Sequence, residues 1–472
     1  MFRIHVRAVL VSLTVLSSLA FAEDDLAAIR AEMHAMREAY EGRIAMLETE
    51  VKDLRQTGGA PRSTEKSIND TLFKKDGVAP TPPVNGSGGG LAIPTNAVRS
   101  ASQLTLGGYT EFTYTDRQTR TPQFDQLKTV AELSAKIQDR IRLYMEIEQE
   151  HAGVIAGPEE TDGEFEIEQA YLDYQIDKAV NFRAGVILVP VGHYNLNHEG
   201  FVNNLVDRPL VDRRVIPTTW YDEGLGFYGA PIDSDKFGLS YEAYMYNPSV
   251  TGGVDPLSGF REIKNENKTP TNDQKAGAVR IAMEPARGAK YLADTLEFGL
   301  SAYVSGFGPF HGVDDNGDDV RYSPGRLYVT AADVTWEKKN VGFRGEAAVD
   351  HTDAGNNITG KKQDAYGYYA EGYYKFWPGF LSHSTFGHFK DPKLVAALRY
   401  EYVNLDNELP ANPSVQRVTA GISYRPLPNT VFKFDYQNDW LGSGLAGKDY
   451  DESETGLKKH LHAFLFSVST GF

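Results

Sequence analysis

The run Arg140-Ile141-Arg142-Leu143-Tyr144-Met145-Glu146-Ile147-Glu148-Gln149-Glu150 decides the fold class. Successive side chains of a strand point to opposite faces. Ile141, Leu143, Met145 and Ile147 therefore share one face, and Arg140, Arg142, Tyr144, Glu146, Glu148 and Glu150 share the other. Just upstream, Ala131, Leu133, Ala135 and Ile137 alternate with Glu132, Ser134 and Lys136, and only Gln138-Asp139 separates the two runs. Two strands joined by so short a connection form a hairpin.

The pattern repeats at Leu104–Tyr114, Ala278–Glu284, Val341–Asp350, Leu394–Tyr402, Val418–Tyr424 and Phe432–Gln437. Long polar segments (Pro248–Gln274, Gly312–Pro324, Leu441–Gly456) alternate with short turns such as Asp233–Lys236 and Pro426–Asn429. A soluble sandwich also alternates, but this pairing of long and short connections is the habit of outer-membrane barrels. Sixteen strands fit between about Leu104 and Phe472, and the even number puts both barrel ends in the periplasm. In the last strand Phe464, Phe466, Val468, Thr470 and Phe472 share a face, and an aromatic C-terminal strand of this kind resembles that of bacterial outer-membrane barrels. The expected fold is all-β, a 16-stranded antiparallel transmembrane β-barrel preceded by a short α-helical coiled coil.

The N-terminal region supplies the coiled coil. Arg3 and Arg7 precede the apolar run Ala8–Ala20 and the small-residue site Ala20-Phe21-Ala22, the pattern of a signal peptide over residues 1–22. Residues 23–56 carry Leu26, Ile29, Met33, Met36, Tyr40, Ile44, Leu47, Val51 and Leu54, a heptad seam with one stutter at Tyr40 to Ile44. Residues 57–101, with Ala79-Pro80-Thr81-Pro82-Pro83 and Gly86-Ser87-Gly88-Gly89-Gly90, read as a flexible linker before the barrel, 102–472.

Composition closes other routes. Beyond the signal peptide no stretch reaches the ~18 apolar residues of a spanning helix, and the mean hydropathy of −0.40 does not speak against a barrel. The absence of cysteine removes disulfides and thiolate chemistry, and a net charge of −16 disfavours a nucleic-acid partner. No HExxH, phosphate-binding Gly-rich loop or GxSxG elbow occurs, so no enzyme, metal or cofactor is expected. His193 and His198 lie five apart in a loop, and His460 and His462 share a strand face without a third ligand.

Several stretches resemble the porin superfamily that includes the phosphate-selective porins of the O and P type: Glu168-Gln169-Ala170-Tyr171-Leu172-Asp173-Tyr174, Arg183-Ala184-Gly185, Pro190-Val191-Gly192 and Leu398-Arg399-Tyr400-Glu401-Tyr402-Val403-Asn404-Leu405-Asp406. The resemblance spans most of residues 102–472. It implies a homotrimer of sixteen-stranded barrels in outer-membrane lipid, with the third extracellular loop folded inward as a constriction. The matching segment is about 193–223, after a strand Asn181–Val189. Its charged residues Asp207, Arg208, Asp212, Arg213, Arg214, Asp222 and Glu223 are expected to line the pore, together with Arg140, Arg142 and Glu146 of the opening strand. Charges of both signs in a narrow pore screen solutes by charge.

Relatives usually carry Lys and Phe where Leu188 and Val191 stand here. Arginines of the inner face also have acidic neighbours two or four residues away: Arg142 with Glu146, Arg280 with Glu284, Arg344 with Glu346, Arg399 with Glu401. Compensating charges suit a general or weakly selective pore better than an anion ladder. The expected function is passive diffusion of small hydrophilic or charged solutes or ions across the outer membrane, with the coiled coil in the periplasm. The rival is a structural or adhesive barrel that tethers to the cell wall or binds a partner.

Overall fold

The computed structural model describes residues 91–93, 103–118, 121–151, 165–248, 274–289, 291–307, 310–313, 319–322, 325–352, 363–405, 413–442 and 459–472. The signal peptide (1–22), the coiled coil (23–56) and all of the linker except 91–93 lie outside them.

Sixteen antiparallel strands close on themselves: β1 (Gln103–Arg117), β2 (Gln123–Gln138), β3 (Ile141–Glu150), β4 (Phe165–Gln175), β5 (Asn181–Leu188), β6 (Tyr221–Asp233), β7 (Gly238–Tyr246), β8 (Ala276–Glu284), β9 (Thr295–Phe307), β10 (Gly325–Lys338), β11 (Val341–Thr352), β12 (Gln363–Phe376), β13 (Lys393–Asn404), β14 (Ser414–Leu427), β15 (Thr430–Leu441) and β16 (His460–Gly471). Each pairs with the next in sequence, and β16 returns to β1 in the register Ala463↔Arg117 to Gly471↔Tyr109. Closure leaves no unpaired edge, which a sheet in hydrocarbon requires. Leu91–Ile93 adds a short strand beside Leu104–Leu106, inside the stretch expected as linker. The segment expected as a polar loop, Gly312–Pro324, contributes to a small hairpin instead, Phe310–Val313 with Asp319–Tyr322.

The two faces of the sheet follow the sequence alternation with the sense of a membrane protein. Along β16, Phe464 is exposed while Leu465, Ser467 and Ser469 are buried, and Phe472 just beyond the strand is exposed. Leu398 on β13 is 58% exposed, and its neighbour Arg399 is 2% exposed. Apolar outside and charged inside is the arrangement that lipid around a polar lumen selects. The short-turn end is tight: between β6 and β7, Phe237 N–H donates to Ser234 Oγ at 3.1 Å and Ser234 N–H to Phe237 O at 3.0 Å.

The pairing of β3 with β4 is irregular. Across β3 and β4, Glu146 pairs with Gln169 but Ile147 pairs with Ile167, so Glu168 is an extra residue in a β-bulge. Both Glu168 and Gln169 are buried as a result. Bulges re-aim side chains, and this one turns an additional carboxylate into the lumen.

Candidate functional site

Between β5 and β6 the chain does not cap the barrel but enters it. Residues 189–220 fill much of the lumen, with Val189, Val191, Val215, Ile216 and Trp220 among the most buried side chains in the protein. The turn inward is made at Pro190-Val191-Gly192. Gly192 has φ +76, and a Cβ there would strike the Glu346 carboxylate, so glycine is required by both backbone and space. A five-residue helix, α1 (Leu210–Arg214), lies deep in the lumen against β11–β13.

Two kinds of contact seat this loop. Val189, Val191, Leu210, Val211, Val215, Ile216 and Trp220 pack with Tyr303 of β9 and with a patch of inward apolar residues on β10–β14: Leu327, Val329, Ala331, Ala348, Ala365, Val403 and Val415. Full burial of a Val or Leu stabilises by roughly 1.5–3 kcal/mol, so this patch is the main source of the loop's adhesion. The second kind is polar. Glu346 accepts the backbone N–H groups of His193 (3.0 Å) and Tyr194 (3.2 Å). Glu401 accepts that of Leu210 (3.2 Å), and Asp435 that of Val206 (2.6 Å). From the basic side, Arg399 donates to the Asp207 carbonyl (2.9 Å), Arg425 to those of Phe201 (2.5 Å) and Asn203 (2.8 Å), and Lys433 to that of Gly200 (2.9 Å). Each buried backbone group needs such a partner, and here the charged wall provides it.

Between the loop and β1–β3 with β15 lies an open cavity of about 270 Å³. Its wall carries Arg117, Lys128, Arg208, Arg213 and Lys433 against Glu111, Asp125, Glu150 and Asp207. Asp207 sits among guanidinium groups, 2.8 Å from Arg117 and 3.3 Å from Arg417. Burial by itself would raise its carboxyl, but Arg117, Arg417 and Arg213 outweigh that and hold it well below the usual carboxylate range. Arg213 is brought down to about 10 by burial, opposed by Asp207 and assisted by Arg214, Arg117 and Arg417, and is still cationic at neutral pH. Burial brings His193 down to about 4, with Asp333 opposing and Arg280 and Arg344 assisting. Burial pushes Glu199 up to about 7, against His198 and with Glu132 and Glu168.

The residues singled out in the sequence divide. Asp207, Arg208 and Arg213 line the cavity. Asp212 lies on the buried side of α1, where burial and the Glu346 carboxylate raise its pKa. Arg214, beside Arg213 on α1, is absent from the cavity wall. Glu146 is buried on the inner face, and Arg142 donates to Ser134 Oγ (3.0 Å). Arg140 is a correction: it stands in the β2–β3 turn, exposed, donating to the Ile176 carbonyl, because a turn residue leaves the strand's alternation. The loop bounds also shift from 193–223 to 189–220, since Tyr221–Glu223 already belong to β6. Asp222 is buried at the start of β6, and Glu223 accepts a hydrogen bond from Asn247 Nδ2 (2.8 Å).

Of the four same-face pairs, Arg399 and Glu401 do meet, at 2.7 Å. Arg280 instead grips Asp333 of β10 with both η nitrogens, and Glu284 pairs with Arg287. Arg117, Lys128 and Lys433 escaped notice as cavity residues, although each occupies an inward position of its strand.

An inward loop pinned to a charged wall beside a polar cavity is the arrangement of a diffusion pore. The sequence matches the family described as phosphate-selective porin O and P over residues 108–439. The chain belongs to that porin family. A protein of Aquifex aeolicus (strain VF5), itself uncharacterized, is 27% identical over 354 residues, covering 71% of this chain and 75% of its own length. Among solved structures, in-vitro folded OmpT of Vibrio cholerae in its trimer form has a TM-score of 0.50 and 13% identity, covering 79% of this porin and 100% of that chain. The loop L8 deletion mutant of OmpT has a TM-score of 0.50 at 11% identity, with 79% and 100% covered. At such identities the likeness is one of fold. The protein is an outer-membrane porin for passive diffusion, and its barrel passes solute through the lumen.

Proposed function

We propose that this porin is a weakly selective pore for small hydrophilic or charged solutes, with a mild preference for anions set in the cavity beside the inward loop. The carrying observation is the balance of that cavity wall, five cationic side chains against four carboxylates, with Arg208 and Arg213 presented by the loop itself. A near-balanced wall gives a transverse field rather than a deep anion well, so solutes are screened by size and polarity first. The residues act by electrostatics and steric restriction, with no catalytic step. The short-turn end faces the periplasm, the barrels associate as a homotrimer in lipid, and residues 23–56 form a coiled coil on the periplasmic side.

Planar-bilayer recording of the purified full chain tests this. Stable unitary steps with a reversal potential modestly biased to anions in asymmetric KCl are expected. A barrel that gives no unitary steps is the plugged, structural or adhesive alternative, and a strongly anion-exclusive channel would refute weak selectivity.

A further inference from the structure

Near the inner face of β3 and β4 lies a group of acidic side chains that solute screening does not require. Glu146, Glu168 and His198 bring one ligand atom each to within 4.8 Å of one another, and all three are buried. A second cluster, His193 with Glu297 and Asp333, is less suited, because Arg280 already occupies both Asp333 oxygens.

At the first cluster three ligand atoms make no hydrogen bond among the described residues: both carboxylate oxygens of Glu168, which is only 1% exposed, and His198 Nε2. His198 Nε2 lies 2.7 Å from Glu168 Oε1, in ion-pairing contact. His198 Nδ1 faces the Asn195 carbonyl at 3.0 Å, which orients the ring so that Nε2 points at Glu168. Glu146 Oε2 accepts Gln169 Nε2 (2.5 Å) and Tyr144 OH (3.2 Å), an outer layer of donors that orients a ligating carboxylate. The pocket is rich in acids: Glu132, Glu148 and Glu199 are buried close by, and the Lys128 ammonium is engaged by Glu148 and Glu150. A buried pocket that gathers two carboxylates and an imidazole nitrogen is one in which a bound cation would be stabilised.

We infer that Glu146, Glu168 and His198 form a binding site for a divalent transition-metal ion of the zinc class. One imidazole nitrogen with two carboxylates is a mixed donor set; imidazole favours zinc-like ions over calcium or magnesium, which prefer oxygen alone. The bulge at Glu168 supplies a ligand that regular alternation would not. Since His198 belongs to the inward loop and the two glutamates to the wall, the ion ties the loop to β3 and β4, opposite the apolar seat on β10–β14. His198 also lines the open cavity, so an ion in the lumen reaches its ring.

The test uses the untagged full chain, folded in detergent, stripped with chelator and titrated with Zn2+ by calorimetry; Co2+ serves as the absorption probe. One high-affinity Zn2+ per chain is expected, with a raised thermal midpoint and a visible Co2+ band. Glu168→Gln and His198→Asn should each weaken Zn2+ binding by at least about tenfold, the scale on which even outer-layer changes act. Circular dichroism melts in chelator confirm that the near-isosteric Glu168→Gln is folded, so its loss of metal is not loss of structure. No saturable Zn2+ uptake by the native chain, unchanged uptake in both folded variants, or equal competition by Ca2+ would each overturn the assignment.

Discussion

Neutralising Arg208 and Arg213 together is the sharpest probe of the cavity. The double substitution Arg208→Gln, Arg213→Gln removes two of its five cations while leaving the apolar seat of the loop intact. A space of 270 Å³ is small enough that a permeating ion passes within about 6 Å of a guanidinium in its wall. At that separation in water each charge is worth about 0.7 kcal/mol to a monovalent ion, and the ~10 Å screening length of 0.1 M salt trims it to about 0.4. Losing both costs an anion about 0.8 kcal/mol and favours a cation by as much, so the anion-to-cation permeability ratio should fall about fifteenfold. In 1 M salt, with a screening length of about 3 Å, the same variant should differ only about twofold. Reversal potentials in asymmetric KCl at the two ionic strengths measure this. Arg214→Gln, off the cavity wall, is the control and should leave the ratio near native. A channel of normal conductance whose ratio is unchanged at 0.1 M would refute the reasoning, because the loop's cations would then not bear on the permeating path.

Gly192→Ala should dislodge the loop, since positive φ costs roughly 1–2 kcal/mol for a residue with a Cβ and the methyl meets Glu346; unitary conductance should rise and the thermal midpoint fall, and unaltered values would count against an inward hinge at this position. His193 is a base with a folded pKa of about 4, below its ordinary value, so the folded state binds fewer protons and its stability is full above about pH 6.5 and lost as pH falls towards 4. The loss should reach about 1–2 kcal/mol given the ring's partial access to water, and His193→Asn should flatten the melting temperature across that window; an equal slope in the variant would assign the pH dependence elsewhere. Deleting residues 23–56 should leave a detergent-stable trimer of native conductance, read by mass photometry and bilayer recording; a monomer would make the N-terminal segment the assembly determinant.

The barrel was legible in the sequence because in–out alternation is a local property: Ile141 to Ile147 and Phe464 to Phe472 each declare a lipid face from within their own strand, whatever lies across the lumen. The loop's existence was legible too, as a long charged segment after a strand. What the loop does with each charge was decided only by tertiary structure. Asp207 and Asp212 are five residues apart and chemically alike, yet one faces three arginines and the cavity while the other is buried beside Glu346, because Asp207 precedes α1 and Asp212 lies on the helix's buried side. Arg280 on β8 bonds Asp333 on β10, reaching across the intervening β9, rather than Glu284 along its own strand. Inward apolar residues such as Leu327, Val329 and Val403 were a sequence signal that the wall receives something, since a water-filled lumen has no use for them. The contact between His198 and Glu168 had no such signal: it depends on a one-residue bulge and on how a loop is laid down inside a closed barrel, and neither is encoded in the alternation of any single strand.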